Sequence, residues 1–407
     1  MYNALIYEVF NKKTTYSCIL LITLSLFLSS CKSSDSTDES SNENLNVSMS
    51  SLLDYSFTDK GITYISDESI LHYFDIESGY DTAICSKANC THEGESSTNP
   101  TPDCDGFVEG IDTTCTAVIG DNLYFLYTPN IDNDDYSGFS YKKLCRADTD
   151  GTNRKDIAEI SDAQSITVAR YSENYLILGY SSTFDENGEN LEKSRSTVSA
   201  INLNDGTVIS TDVKENYQGQ IRSVYISDDD IYYVYFYLSE SVDYDEWDLD
   251  SEEFSEYIDS ISQLEIIDFN IKDNSENILW SSNATCNDMN YGYVCVNDKI
   301  PKIIRLSDMN IFSFDTEYSD CSFTIDKDGV IIRSSENKTY FLNFESDEIE
   351  EIQMDADIDF IISAVTDNTI FLNYYNESDY VMGCIEKGDF YSGKINSLKF
   401  IRNLNEE

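Results

Sequence analysis

Positive charge is scarce in this chain of 407 residues. Its 26 Lys and Arg stand against 76 Asp and Glu, a formal net charge of −50. A field of that sign repels phosphates and anionic lipid head groups, which excludes nucleic acid as a partner. The acidic surface then reads either as a solvated, self-repelling coat or as a site for cations and basic partners, and bound Ca²⁺ would offset part of it. Glycine is sparse at 17 residues, and neither a P-loop nor a dinucleotide glycine motif is found. The 4 prolines and the scattered polar doublets favour many short elements over long helices. Histidine is rarer still, confined to His72 and His92. What the chain has in quantity is apolar and aromatic side chains: 41% hydrophobic, with 30 Tyr and 20 Phe. Disordered chains lack that content, so most of this one is expected to fold around a large core.

The N-terminus reads as an address. Lys12-Lys13 precede the apolar run Cys18 to Leu28, followed by Ser29-Ser30-Cys31. A basic start, a short apolar core and small residues before a cut make a secretory signal. The core is well short of the roughly 20 residues that span a bilayer. Leu28-Ser29-Ser30-Cys31 looks like a bacterial lipobox, so residues 1–30 are expected to be removed and Cys31 to carry acyl chains such as palmitate. Residues 31–51 are rich in Ser, Asn and acid, the composition of a flexible tether. The expected location is the cell membrane, lipid-anchored and facing the extracellular side.

From residue 52 to 402 short alternating strands recur, with Asp, Asn, Gly and Ser turns between them. Ile62 to Ile65 and Ile70 to Asp75 open the series. Ala117 to Tyr127 with Tyr141 to Ile157 repeats it, as do Val224 to Leu238 with Leu264 to Trp280. Asp-Gly turns suit tight hairpins because they tolerate positive φ. About seven copies fit, near 50 residues each, and four strands per 40–50 residues is the β-propeller signature. The expected fold class is all-β: a propeller of seven blades with four antiparallel strands each. Six or eight blades also fit, because the fifth and sixth copies are short. Residues 403–407 form a tail. Residues 243–262 break the rhythm. Asp250 with Glu253 resembles a capping box, and Phe254, Ile258 and Ile261 fall at helical spacing, so one amphipathic helix is expected there, docked on the propeller.

Residues 83–107 hold the densest chemistry. Cys85, Cys90, His92 and Cys104 follow the pattern C-x4-C-x-H-x11-C. A Cys₃His set can close a tetrahedral structural Zn²⁺ site. In an exported chain close cysteines favour disulfides first, so both readings stay open. Nine cysteines remain after Cys31, an odd number that cannot all pair internally, whereas three ligands for zinc leave six that can. A Cys90–His92 nucleophile pair lacks a recognisable orienting partner or oxyanion loop. Asp132, Asp134 and Asp135 suggest a calcium loop, but no residue completes an EF-hand. His72 sits in a Tyr-Phe strand and reads as structural.

The unit KLCRADTDGTNRKDI resembles those of TolB-like and YWTD-like β-propellers. The stretch AICSKANCTHEGE…CDGF resembles a cassette of surface lipoproteins of anaerobic Firmicutes, from which it departs in the long linker between Glu93 and Cys104. The resemblance implies fold and location rather than an activity, and an anaerobic host would weaken the drive toward disulfides. Taken together, the expected function is a membrane-anchored, non-enzymatic, monomeric propeller. It would bind an envelope protein, peptide or glycan at the loop-lined end of its central channel. A glycan hydrolase or lyase using channel acids is one alternative. An assembly or signalling scaffold presenting residues 243–262 is the other.

Overall fold

The computed structural model describes residues 48–49, 55–66, 68–108, 115–129, 141–185, 189–244, 247–249, 251–298, 300–314, 318, 321–376 and 379–404. The expected signal segment, Cys31, the tether up to residue 47, the acidic loop at Asp132, Asp134 and Asp135, and Asp250 lie outside these residues.

Among the described residues nearly all regular structure is antiparallel strand, and it falls into seven consecutive groups of four, termed units I–VII. Unit I is Tyr55–Phe57, Gly61–Ile65, Leu71–Asp75 and Asp81–Ala83. Unit II is Ala117–Ile119, Asn122–Tyr127, Lys142–Asp148 and Lys155–Ile160. Unit III is Ser165–Tyr171, Tyr175–Phe184, Asn190–Asn202 and Val208–Ser210. Unit IV is Lys214–Ser227, Asp230–Leu238, Ser262–Asn270 and Ser275–Ser282. Unit V is Thr285–Asn290, Tyr293–Asp298, Ile300–Arg305 and Asn310–Ser313. Unit VI is Ser322–Asp326, Gly329–Arg333, Thr339–Asn343 and Ile349–Ile352. Unit VII is Phe360–Val365, Thr369–Asn376, Asp379–Glu386 and Lys399–Asn403. Each is a meander in which neighbours in sequence are neighbours in the sheet. Units III and IV also share a short ladder, Ser194–Ser196 against Lys214–Asn216. Ser48–Met49 adds a strand beside Tyr55–Phe57 and lies close to the first strands of units III and VII.

The core lies between units. The middle strands are apolar on both faces: Gly61–Ile65 and Gly329–Arg333 are buried along their whole length. Each face packs on a different neighbour, as Leu126 and Leu144 of unit II pack with Tyr171 and Leu178 of unit III. The last unit packs on the first. Phe57 and Phe371 rings are 4.7 Å apart, within a cluster holding Tyr64, Phe74, Met382 and Cys384. Asp59 gathers Thr366 Oγ1 at 2.5 Å, the Asn368 backbone N–H at 2.9 Å and Asn368 Nδ2 at 2.8 Å. No strand of unit I pairs with unit VII among the described residues, so these side chains do the joining.

The residue 243–262 insertion contains helix α1, Glu252–Ile261, but its cap differs from the expected one. Ser251 is the N-cap, with Oγ accepting the Phe254 N–H at 3.1 Å. Ser251 has the extended backbone that an N-cap requires and precedes the first helical residue directly. Its apolar face is covered partly by its own insertion, since Trp247 stacks on Tyr257 at 4.6 Å. Ile261 is buried, and its carbonyl takes the Ser239 N–H of unit IV at 2.9 Å. A second short helix, α2 at Lys387–Tyr391, lies between the last two strands of unit VII and buries Phe390. Its five residues are too few to carry a helical period, which is why the sequence pattern does not reveal it.

Candidate metal centre

Residues 84–108 leave unit I and return to it before unit II begins. Ile84 N–H donates to the Leu71 carbonyl at 2.8 Å, Leu71 N–H to Gly106 at 3.0 Å, and Val108 N–H to Ser69 at 3.2 Å. Both ends of the excursion are therefore stitched to one strand of unit I. Inside it, Gly94 N–H donates to Glu68 Oε2 at 2.9 Å and Asn99 Nδ2 to the Gly94 carbonyl at 3.1 Å. Asn89 and His92 adopt left-handed backbone, with φ of 63° and 54°. Asn and His are both among the non-glycine residues enriched in that region.

Unit II supplies a clamp. Arg154 donates from Nη1 to the Phe107 carbonyl at 2.9 Å, from Nε to Gly151 at 3.0 Å, and from Nη2 to Asp105. Its guanidinium lies over the Phe125 ring, 5.2 Å from the centroid. Gly151 itself has φ of 82° and sits so close to Asp105 that a Cβ would lie 2.5 Å from the Asp105 carbonyl oxygen. The Asp150-Gly151 turn thus needs glycine for conformation and for close approach.

This scaffold brings all four sequence candidates together. The ligand atoms of Cys85, Cys90, His92 and Cys104 lie within 4.8 Å of one another. Cys104 Sγ is 3.6 Å from His92 Nδ1. A tetrahedral zinc with bonds near 2.3 Å to sulfur and 2.1 Å to nitrogen has S···N edges of about 3.6 Å and S···S edges of about 3.8 Å. Cys85, Cys90 and Cys104 are thiols, none bonded to another. Cys104 is buried and the other three are half-buried, with Cys90 and Cys104 lining an open depression of about 560 Å³.

The electrostatics suit one cation. Burial works to raise the Cys85 thiol, but the backbone N–H groups of Lys87 and Asp105, with the Cys90 and Cys104 thiols, outweigh it and hold it below its ordinary value. The Asp105 N–H reaches Cys85 Sγ at 3.4 Å. Burial pushes Cys104 up to about 11, and neighbouring Cys90 and Cys85 act in the same direction. One thiolate is favoured and a second resisted, a penalty that a central divalent cation reverses. Lys87 bridges Asp103 at 2.5 Å and Asp105 at 3.0 Å, bracing the Cys104 loop from outside. Four protein ligands fill a tetrahedron and leave no position for a substrate, so the arrangement fits a structural metal rather than a catalytic one.

His72 plays no part in this cluster. Its Nδ1 is 3.1 Å from Asp81 Oδ1, with Tyr64 on the other carboxylate oxygen, which places it in the packing of unit I.

A second feature sits where the first strands of units III to VII converge: a cavity of about 510 Å³, lined by Arg170, Arg222, Asp288 and several hydroxyl side chains. None of these residues stands out in the sequence, because only the arrangement of units around an axis brings them together.

No protein-family model and no curated protein sequence matches the chain. Among solved structures it is similar to the β-propeller domain of the Trilobed protease from Pyrococcus furiosus. That likeness has 12% identity, a TM-score of 0.50, and covers 86% of this chain and 97% of that one. The fold is a β-propeller. The chain is also similar to the computationally designed Ika8 protein (10% identity, 88% of each chain, TM-score 0.46) and to Pyrococcus horikoshii acylaminoacyl peptidase (13% identity, TM-score 0.48). It covers 89% of itself but 53% of that peptidase, so it spans about half the peptidase's length. Identities this low carry no peptidase activity to this chain.

Proposed function

We propose that this chain is a membrane-anchored, extracytoplasmic propeller lipoprotein that binds a ligand in its central cavity, with a structural zinc stapling residues 84–108 between its first two blades. The observation that carries the zinc is the convergence of three thiols and one imidazole on a tetrahedron-sized space. It favours metal over disulfide, because a disulfide would use two sulfurs and give His92 no role. Units I–VII are read as seven blades, and the Asp59 and Phe57–Phe371 contacts are read as the closure of a ring without strand exchange. The acyl anchor rests on the Leu28–Cys31 motif and on the resemblance to Firmicutes surface lipoproteins. A binding role is preferred to glycoside hydrolysis because that chemistry uses a facing pair of carboxylates, and Asp288 is the one carboxylate lining the cavity among the described residues.

The test uses the full chain expressed in a Gram-positive host. It should partition with membranes, with Cys31→Ser releasing it, and the purified protein should carry one zinc per chain that Cys104→Ser removes. A soluble wild-type product would contradict the anchor. Zinc-free protein with thiol-unreactive Cys85, Cys90 or Cys104 would contradict the metal.

A further inference from the structure

The central cavity has a more specific chemistry than an empty channel. It is walled by the first strands of five units, and four of those strands carry a register irregularity: between Ile166 and Val168, Ile221 and Ser223, Cys286 and Asp288, and Ile362 and Ala364. Bulges re-aim side chains that regular alternation would turn elsewhere. Arg222 lies within one of them and Asp288 borders another.

Arg170 is buried, and its Nη1 donates to Asn290 Oδ1 at 2.9 Å. That bond joins units III and V past unit IV, and it fixes the plane of the guanidinium. It uses one of five N–H donors. Arg222 is exposed to the cavity and lies over the Phe236 ring at 4.9 Å. Stacking engages the face of a guanidinium and leaves its in-plane donor edge open to a planar anion. Asp288 is held by the Ile325 backbone N–H on Oδ2 at 2.7 Å. It is half-buried, and burial raises its carboxyl above the ordinary carboxylate range. Thr167, Ser322 and Ser363 add hydroxyls to the wall.

Two guanidinium groups in one cavity stand out in a chain of net charge −50. Asp288 is the one carboxyl lining the cavity among the described residues, and its burial disfavours the anionic form, so the two guanidinium groups favour a small anion while the long-range negative field of the chain disfavours polyanions. A volume of about 510 Å³ is that of a small-molecule site. We infer that the cavity binds a small monocarboxylate carrying hydroxyl or amide groups, its carboxylate held by Arg170 and Arg222. This rests on the reading of the cavity as the ligand site. Two sources share that chemistry, acidic sugars and short peptides.

The test is calorimetric titration of the full chain with D-galacturonate, its neutral methyl ester, and Ala-Ala. Binding of galacturonate or Ala-Ala supports the proposal, and which of the two binds names the source. The supporting result includes at least a tenfold loss in Arg222→Gln, whose exposed position leaves folding intact, with an unchanged Tm. Arg170→Lys, which keeps the charge but loses the fork, should weaken binding by a similar factor. Equal affinity for ester and acid, or unaltered affinity in Arg222→Gln, overturns the carboxylate while leaving the cavity as a ligand site. If none of the three probes binds, the inference fails. Should a neutral glycan fragment bind in the same titration and be blocked by Ser363→Trp, the wider reading survives that failure; otherwise it fails as well.

Discussion

Arg154 shows how much of the candidate centre depends on a side chain outside it. One guanidinium holds the carbonyls of Asp105, Phe107 and Gly151 and so sets where Cys104 stands. Arg154→Lys keeps the charge but cannot span three acceptors. Zinc affinity measured by chelator competition should fall about 10- to 100-fold, in line with other outer-shell losses. Wild-type affinity in this variant would mean the loop is self-supporting. Buried thiols elsewhere make a second residue-scale prediction. Burial pushes both Cys145 and Cys384 up to about 11. Unfolding exposes them to ionise near pH 9, so the unfolded state binds fewer protons between those values and stability falls as pH rises from about 9 to 11. Each thiol contributes about 2–3 kcal/mol to that loss. Urea midpoints of Cys145→Ala and Cys384→Ala should show a flatter decline than wild type over this window, and parallel declines would contradict the assignment. At this scale the four candidate ligands were legible because Cys and His are rare enough for their clustering to carry information. Arg154, Arg170 and Arg222 were not, since nothing local in a strand says which neighbour its side chain will meet.

Turn chemistry made the elements easier to read than their caps or insertions. The Asp-Asp-Asp turn before Ile231 and the Asp-Gly turn before Val330 marked hairpins that are present, joining Lys214–Ser227 to Asp230–Leu238 and Ser322–Asp326 to Gly329–Arg333. Unit V was hard to see because its first strand reads TCNDMN, polar and bulged, and its third begins Ile300-Pro301. Helix α1 was expected from Phe254, Ile258 and Ile261, yet its cap is one residue past the expected Asp250. Ser251→Ala removes the acceptor for the Phe254 N–H and should cost about 1 kcal/mol. Amide exchange in the first turn of α1 should accelerate about fivefold while unit IV strands keep their protection. Unchanged exchange at Phe254 would show that the cap bond contributes nothing.

For the molecule as a whole, the repeat grammar anticipated an all-β chain of four-stranded units, and the tertiary packing follows because each sheet presents two apolar faces. How the ends meet was not legible, since Asp59 and Asn368 are separated by nearly the whole domain. Asp59 accepts three bonds across that junction. Asp59→Ala should lower stability by about 1.5–3 kcal/mol, the range for hydrogen bonds to a charged group. A shifted urea midpoint with an unchanged slope would support the junction, and an unmoved midpoint would leave the contact between units I and VII without a polar contribution. The cassette between units I and II ties these scales together, because a metal there would lock the inside of a long loop that backbone bonds and Arg154 fasten to both units. X-ray absorption at the zinc edge of the purified full chain tests that most directly. The account predicts three sulfur scatterers near 2.3 Å and one nitrogen near 2.1 Å; a zinc-free protein with a sulfur pair near 2.05 Å would contradict it.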